Sequence, residues 1–182
     1  MTASNDSSLA GQFLVSMPQL KGDFFQSTVT LLIEHNDEGA FGLTVNKPLD
    51  ILLSDVIDEM PASPVPVWQG GPVQADHIFF LHSTDKDYEG SFRLNDDVIL
   101  STSPQLLTEI AAGELPEEII ALAGYAGWAP GQLDDEILRD AWLVVPFDAT
   151  IVYGRDFEEK PVRAARLLGI DLNLVGPTSG HG

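Results

Sequence analysis

The chain has 182 residues, 44% of them hydrophobic, with 28 acids against 9 bases and a formal net charge of −19. That length and apolar content build one folded core of ordinary size, while acids spread along the whole chain repel phosphate, so direct nucleic-acid binding and anionic membrane surfaces are disfavoured. The absence of cysteine removes disulfides, thiolate catalysis and Cys-type zinc or iron–sulfur sites.

Residues 1–10 are small and polar; they predict a disordered tail and lack the basic and apolar segments of a secretory signal. No apolar run reaches the roughly 18 residues that cross a bilayer, so a soluble cytoplasmic protein is expected. Residues 12–17 and 27–34 read as strands, the second almost wholly apolar and so buried on both faces. Asn36-Asp37-Glu38-Gly39 is a turn leading into a strand over 41–46, which predicts a hairpin. Apolar residues at 51, 52, 53, 56, 57 and 60 stack on one helical face, with Asp50 as N-cap, so a helix is expected over 51–60.

A proline-studded linker at 61–66 precedes short strands at 67–69 and 78–82, with a Gly-Gly-Pro turn between them. A polar loop over 85–90 and a strand at 98–101 follow. Ser103 as N-cap with Pro104 behind it opens a helix that Gly113 ends. Residues 119–123 read as a strand entering a glycine–aromatic turn, GYAGWAPGQL at 124–133. A helix is expected over 131–140, strands over 141–145 and 150–153, and a last helix from about 161 to Gly169. No repeat or domain break interrupts this order. It predicts a single α+β domain over 11–175 with a mixed sheet, and a loose tail at 176–182.

Several groups could carry chemistry. Glu34, His35 and Asn36 place an acid, an imidazole and an amide at a strand end, yet neighbouring residues on a regular strand face opposite ways. Asn36 is explained by turn chemistry alone. His82 ends its strand as His35 ends its own, and the two would approach if the strands ran side by side in the same direction. A metal would still need further ligands, and no spacing diagnostic of one is present. Asn46 and Lys47 lie at a strand end, and Gly70-Gly71 could expose amides as an anion nest, although both also read as ordinary turns.

In the glycine–aromatic stretch, Tyr125, Trp128 and Gln132 offer contact surface, but the acids at 134–136 would repel a phosphate at that helix start. Neither a GxxxxGK[ST] nor a GxGxxG pattern occurs. Ser16, Ser27, Ser54 and Ser91 have no base nearby in sequence that marks a nucleophile. The residues therefore yield binding candidates but no catalytic set, metal or cofactor.

The segments GQFLVSMPQLKGDFFQSTVTLLIEHNDEGAFGLTVNKP, WQGGPV, FFLHS and GYAGWAPGQLDDEILRDAWLVVP, in that order and with a terminal Gly-His pair, resemble the bacterial AlgH/YqgE family. The resemblance implies a mixed β-sheet partly curled into a small barrel-like unit, with helices packed outside. It implies no established activity, cofactor or substrate, and a transcriptional-regulator label. Many members carry a cysteine before the Glu-His-Asn triplet, where this chain has Ile33, so thiol-based redox sensing is not expected. The favoured reading is a non-enzymatic regulatory or adaptor protein contacting another protein or a small ligand. The alternative is an enzyme with a cleft around Glu34, His35 and His82.

Overall fold

A computed structural model describes residues 8–18, 24–58, 60, 61 and 63–174. The described strands are β1 (Phe13–Ser16), β2 (Val29–Asn36), β3 (Gly39–Thr44), β4 (Pro48–Leu52), β5 (Pro66–Gln69), β6 (Val73–His82), β7 (Phe92–Arg93), β8 (Ile99–Ser101), β9 (Ile119–Trp128) and β10 (Trp142–Val145). The helices are α1 (Leu53–Val56), α2 (Pro104–Ala111), α3 (Gln132–Leu138), α4 (Ala149–Tyr153) and α5 (Lys160–Arg166). The strands join in the order β10-β1-β2-β3-β9-β6-β8-β7, with β4 paired to β5 and β5 running parallel to β9. This is the expected mixed α+β domain; the sheet curls without closing into a barrel. No described helix is long and apolar enough to cross a membrane.

Strand β9 organises the molecule. Its first half lies between β5 and β6, and its second half pairs with β3. The change of partner falls at Gly124, which has φ +79°. There the Gly70-Gly71 segment crosses β9 backbone to backbone, and a Cβ on Gly71 would lie 1.9 Å from the Tyr125 carbonyl carbon. Only glycine permits that approach.

Side chains alternate along the strands and bury both faces of the sheet. One face carries Phe13, Val15, Leu31, Ile120 and Leu122 against Ile151, Val152 and Ala164 of α4 and α5. The other carries Ala121 and Phe80 against Leu106 and Ile110 of α2, and Leu14 and Ala126 against Leu133 of α3.

Four expectations need correction. Gly124–Trp128 is strand, not turn: its glycines allow close crossing of a neighbouring segment rather than chain reversal, and Gly131 at φ +76° starts α3. The expected helix over 51–60 is β4 followed by the single turn α1. Asp50 sits at φ +58°, left-handed and unlike an N-cap, because Ile51 and Leu52 pair with Val67 and Pro66. Residues 150–153 are helical because the Asp148 carboxylate caps them, accepting from the Thr150 amide at 2.9 Å. Strand β6 also begins five residues before the expected 78, through a bulge between Val73 and Ile78.

Candidate functional site

Asn36 makes the turn expected of it, its side-chain oxygen accepting from the Glu38 amide at 2.7 Å. Glu34 and His35 pair with Phe41 and Ala40 in regular register and so face opposite sides. Glu34 points to solvent. His35 Nδ1 accepts from the Leu9 amide at 3.0 Å, which leaves Nε2–H to donate to Asp134 at 2.9 Å. The ring thus ties the chain before β1 and the start of α3 to β2. Of the expected N-terminal tail, Ser8 to Ala10 are described beside His35, where Ser8 Oγ donates to the His35 carbonyl. The rest of that tail and the expected tail at 176–182 lie outside the described residues.

His82 is nowhere near His35. Strands β2 and β6 are separated by β3 and β9 and run in opposite directions. His35 lies level with Trp128 across β3, and His82 pairs with Ile119, so the two rings sit at the two ends of β9. At ~3.3 Å per residue that is about 30 Å of strand. No cleft contains Glu34, His35 and His82 together. His82 is fully buried, with its ring between the Ser83 carbonyl and the Ser101 hydroxyl.

Asn46, Lys47, Gly70 and Gly71 do come together, through backbone. Asn46 Oδ1 accepts from the Val29 amide and its Nδ2 donates to the Ser27 carbonyl, both at 2.9 Å. The Gln69 amide donates to the Lys47 carbonyl, and the Gly70 amide to the Ala123 carbonyl. That donation occupies an N–H an anion nest would need. Lys47 Nζ donates to the Phe24 carbonyl and lies 4.0 Å from the centre of the Phe24 ring.

Tyr125 packs against Phe41 and Phe79. Trp128 is 6% exposed, and its indole N–H donates to Glu136 Oε1, as does that of Trp142, at 3.0 and 2.8 Å. Gln132 completes this group, donating to Glu136 Oε2 and accepting from the Ala129 amide. The rings are core, held by one carboxylate, with Phe25 stacked against Trp128.

A further concavity lies elsewhere. A cavity of about 630 Å³ opens between the loop after β6, the turn before β8, the start of β9 and α4. Asp85, Asp96, Asp97, Glu117 and Glu118 line it with Ser83, Thr84, Thr150 and Tyr153, and no lysine or arginine does. Its rim is tied by hydrogen bonds. The Glu118 amide donates to Ser83 Oγ at 2.8 Å, Thr84 Oγ1 to the Asp96 carbonyl at 3.0 Å, and the Tyr153 hydroxyl to the Asp97 carbonyl at 3.0 Å.

Burial pushes the Asp85 carboxyl up, but the Ser83 hydroxyl and the Glu117 amide hold it below its ordinary value, so it is ionised at neutral pH. Burial, reinforced by Glu118, Asp97 and Asp85, pushes the Tyr153 phenol up and keeps it a hydroxyl donor. The result is a negatively charged pocket with an aromatic wall, suited to an organic cation. Among the described residues no three of His, Asp and Glu converge closely enough to hold a metal ion. No motif marks these acids in the sequence, where 85–90 reads as a polar loop and 150–153 as a strand. Paired acids at 96–97 and 117–118, each just before an apolar strand, were the available signal.

A family model described as AlgH-like matches residues 13–173. A UPF0301 protein of Nitrosospira multiformis is 40% identical over 180 residues, covering 95% of this chain and 97% of that one. The solution structure of the AlgH protein from Pseudomonas aeruginosa is similar at TM-score 0.79 and 38% identity, with 96% of each chain covered. A crystal structure from Corynebacterium diphtheriae, protein DIP2367, shares the fold at TM-score 0.75 and 24% identity, over 92% of this chain and 91% of that one.

Proposed function

The chain belongs to the AlgH-like family, and from that premise we propose that it is a non-enzymatic cytoplasmic binding protein, regulatory or adaptor in role. Its acid-lined cavity receives a basic segment of a partner protein. One observation carries this reading: five carboxylates and a tyrosine line a cavity of about 630 Å³ that no lysine or arginine lines, with Asp96 paired to Arg93 at 3.5 Å. Arginine or lysine side chains entering it exchange water for carboxylates and an aromatic face. A regulatory role of this kind works through protein contact. DNA would meet a chain of net charge −19, and its phosphates would be repelled.

Calorimetric titration with an arginine-rich peptide at low and at physiological salt tests the reading. Binding is expected to weaken with salt and to fall at least tenfold in Asp97→Asn/Glu118→Gln. An unchanged affinity in that variant would sink the assignment to this cavity. Binding of spermidine alone, with no affinity for the peptide, would replace the protein partner by a small polyamine.

A further inference from the structure

Ser91 has no base near it in sequence, but the fold supplies one through an intermediary. Ser91 stands between Gly90 and the edge strand β7, half-buried. Its Oγ lies 2.6 Å from Ser101 Oγ, which in turn lies 2.8 Å from His82 Nε2. Proton positions along this chain follow from the partners. The Ser83 carbonyl can only accept, so His82 Nδ1, at 2.9 Å, carries a proton and donates it. Burial lowers the basicity of the His82 imidazole and leaves it neutral, so Nε2 is a bare acceptor. Ser101 must therefore donate to Nε2, and Ser91 must donate to Ser101. Every hydroxyl points toward the imidazole, and the Ser91 oxygen at the outer end keeps its lone pairs.

We propose that Ser91 is an acyl-acceptor residue for activated esters, its proton drawn through Ser101 onto His82. The Ser91 oxygen attacks the ester carbonyl carbon and forms the new C–O bond. The Ser91 proton passes to Ser101 as the Ser101 proton passes to His82 Nε2. Expulsion of the leaving oxygen breaks the old C–O bond, and the proton held on His82 passes back to Ser101 as the Ser101 proton goes directly to the leaving oxygen, since the acylated Ser91 oxygen no longer relays one. The products are acyl-Ser91 and the free alcohol, with no further reactant.

Ser91 is the residue acylated, once per chain; Ser101 and His82 are positioning residues that act through it. The charge around the relay limits the substrate. The loop before Ser91 presents Asp85, Asp87 and Glu89, and from α2 Glu109 accepts from Tyr88, whose ring lies edge-on to His82 at 5.5 Å. Strands β8 and β9 add Ser101 and Ile119, which are uncharged. Lys86, the cation in this loop, is paired with Glu109 at 3.2 Å. A developing oxyanion meets a negative field, so only esters whose leaving group is itself a stable anion react. This proposal is independent of the cation-binding reading.

The test is incubation of the full chain with p-nitrophenyl acetate, followed by p-nitrophenolate release and peptide mapping by mass spectrometry. One acetyl group on Ser91 is expected, absent in Ser91→Ala, with the rate in Ser101→Ala lower by about a hundredfold, the usual scale of general-base assistance. The wild-type rate should rise with pH and level off once His82 is neutral. A rate climbing in proportion to hydroxide across pH 6–9 would overturn the relay even if Ser101→Ala failed to fold. Acetyl groups on lysines alone, or Ser91→Ala acylating at the wild-type rate, would overturn the acceptor.

Discussion

At Glu136 a single carboxylate oxygen receives two indole N–H groups, from Trp128 and Trp142. Leaving both buried donors unpaired costs about 2–6 kcal/mol, since each such group costs about 1–3. Glu136→Leu should therefore lower unfolding free energy in urea by that order, and Glu136→Gln, which keeps an acceptor oxygen, by less than half as much. Equal losses in the two variants would mean that the pairing contributes little. Gly71 poses a harder constraint. A methyl group there would overlap the Tyr125 backbone, and neither segment can move without breaking the Gly70–Ala123 and Thr44–Gly70 hydrogen bonds. Gly71→Ala should cost more than about 3 kcal/mol, seen as loss of soluble, cooperatively melting protein.

Elements with a strong local signal were legible in the sequence, and elements set by pairing were not. Helix α2 starts at the expected Ser103–Pro104 pair, the Ser103 hydroxyl accepting from the Gln105 amide. The β2–β3 hairpin forms around Asn36 for reasons contained in four residues. Strand β4 has an apolar spacing that also fits a helix, and its pairing with β5 overrides that spacing. Residues 124–128 look like a turn because a sequence shows glycine without showing what approaches it. In α4 the β-branched run suggested strand, but Asp148 caps it. Asp148→Ala should cost about 1 kcal/mol in chemical denaturation, and no change would mean that packing of Ile151 and Val152 alone holds the turn. The candidate site divides the same way. His35, Asn36, Gln132 and the glycines occupy defined positions, but most serve structure, while the acids of the cavity meet only through the fold.

The whole molecule carries a buried amine within an acidic chain. Lys160 is fully buried, with Nζ donating to the Val45 and Val152 carbonyls at 2.7 and 3.1 Å and lying over the Trp68 ring. Burial lowers its pKa to about 7, below the ~10.4 of an unfolded lysine. Between those values the unfolded chain binds more protons, so stability should rise with pH from about 7 toward 10. The cost of charging the buried amine is full below pH 7. Lys160→Met removes this dependence: the stability difference, wild type minus variant, should grow with pH by up to about 1.4 kcal/mol per unit. A difference that stays flat would show the amine to be charged in the fold throughout.

At the same scale the −19 charge favours a basic partner, and the proposal places its docking in the acid-lined cavity. NMR titration of the isotope-labelled chain with an arginine-rich peptide at physiological salt tests this most directly. The account predicts saturable shifts centred on residues 83–85, 96–97, 117–118 and 150–153. Weak, unsaturated shifts spread over every acidic surface would contradict it.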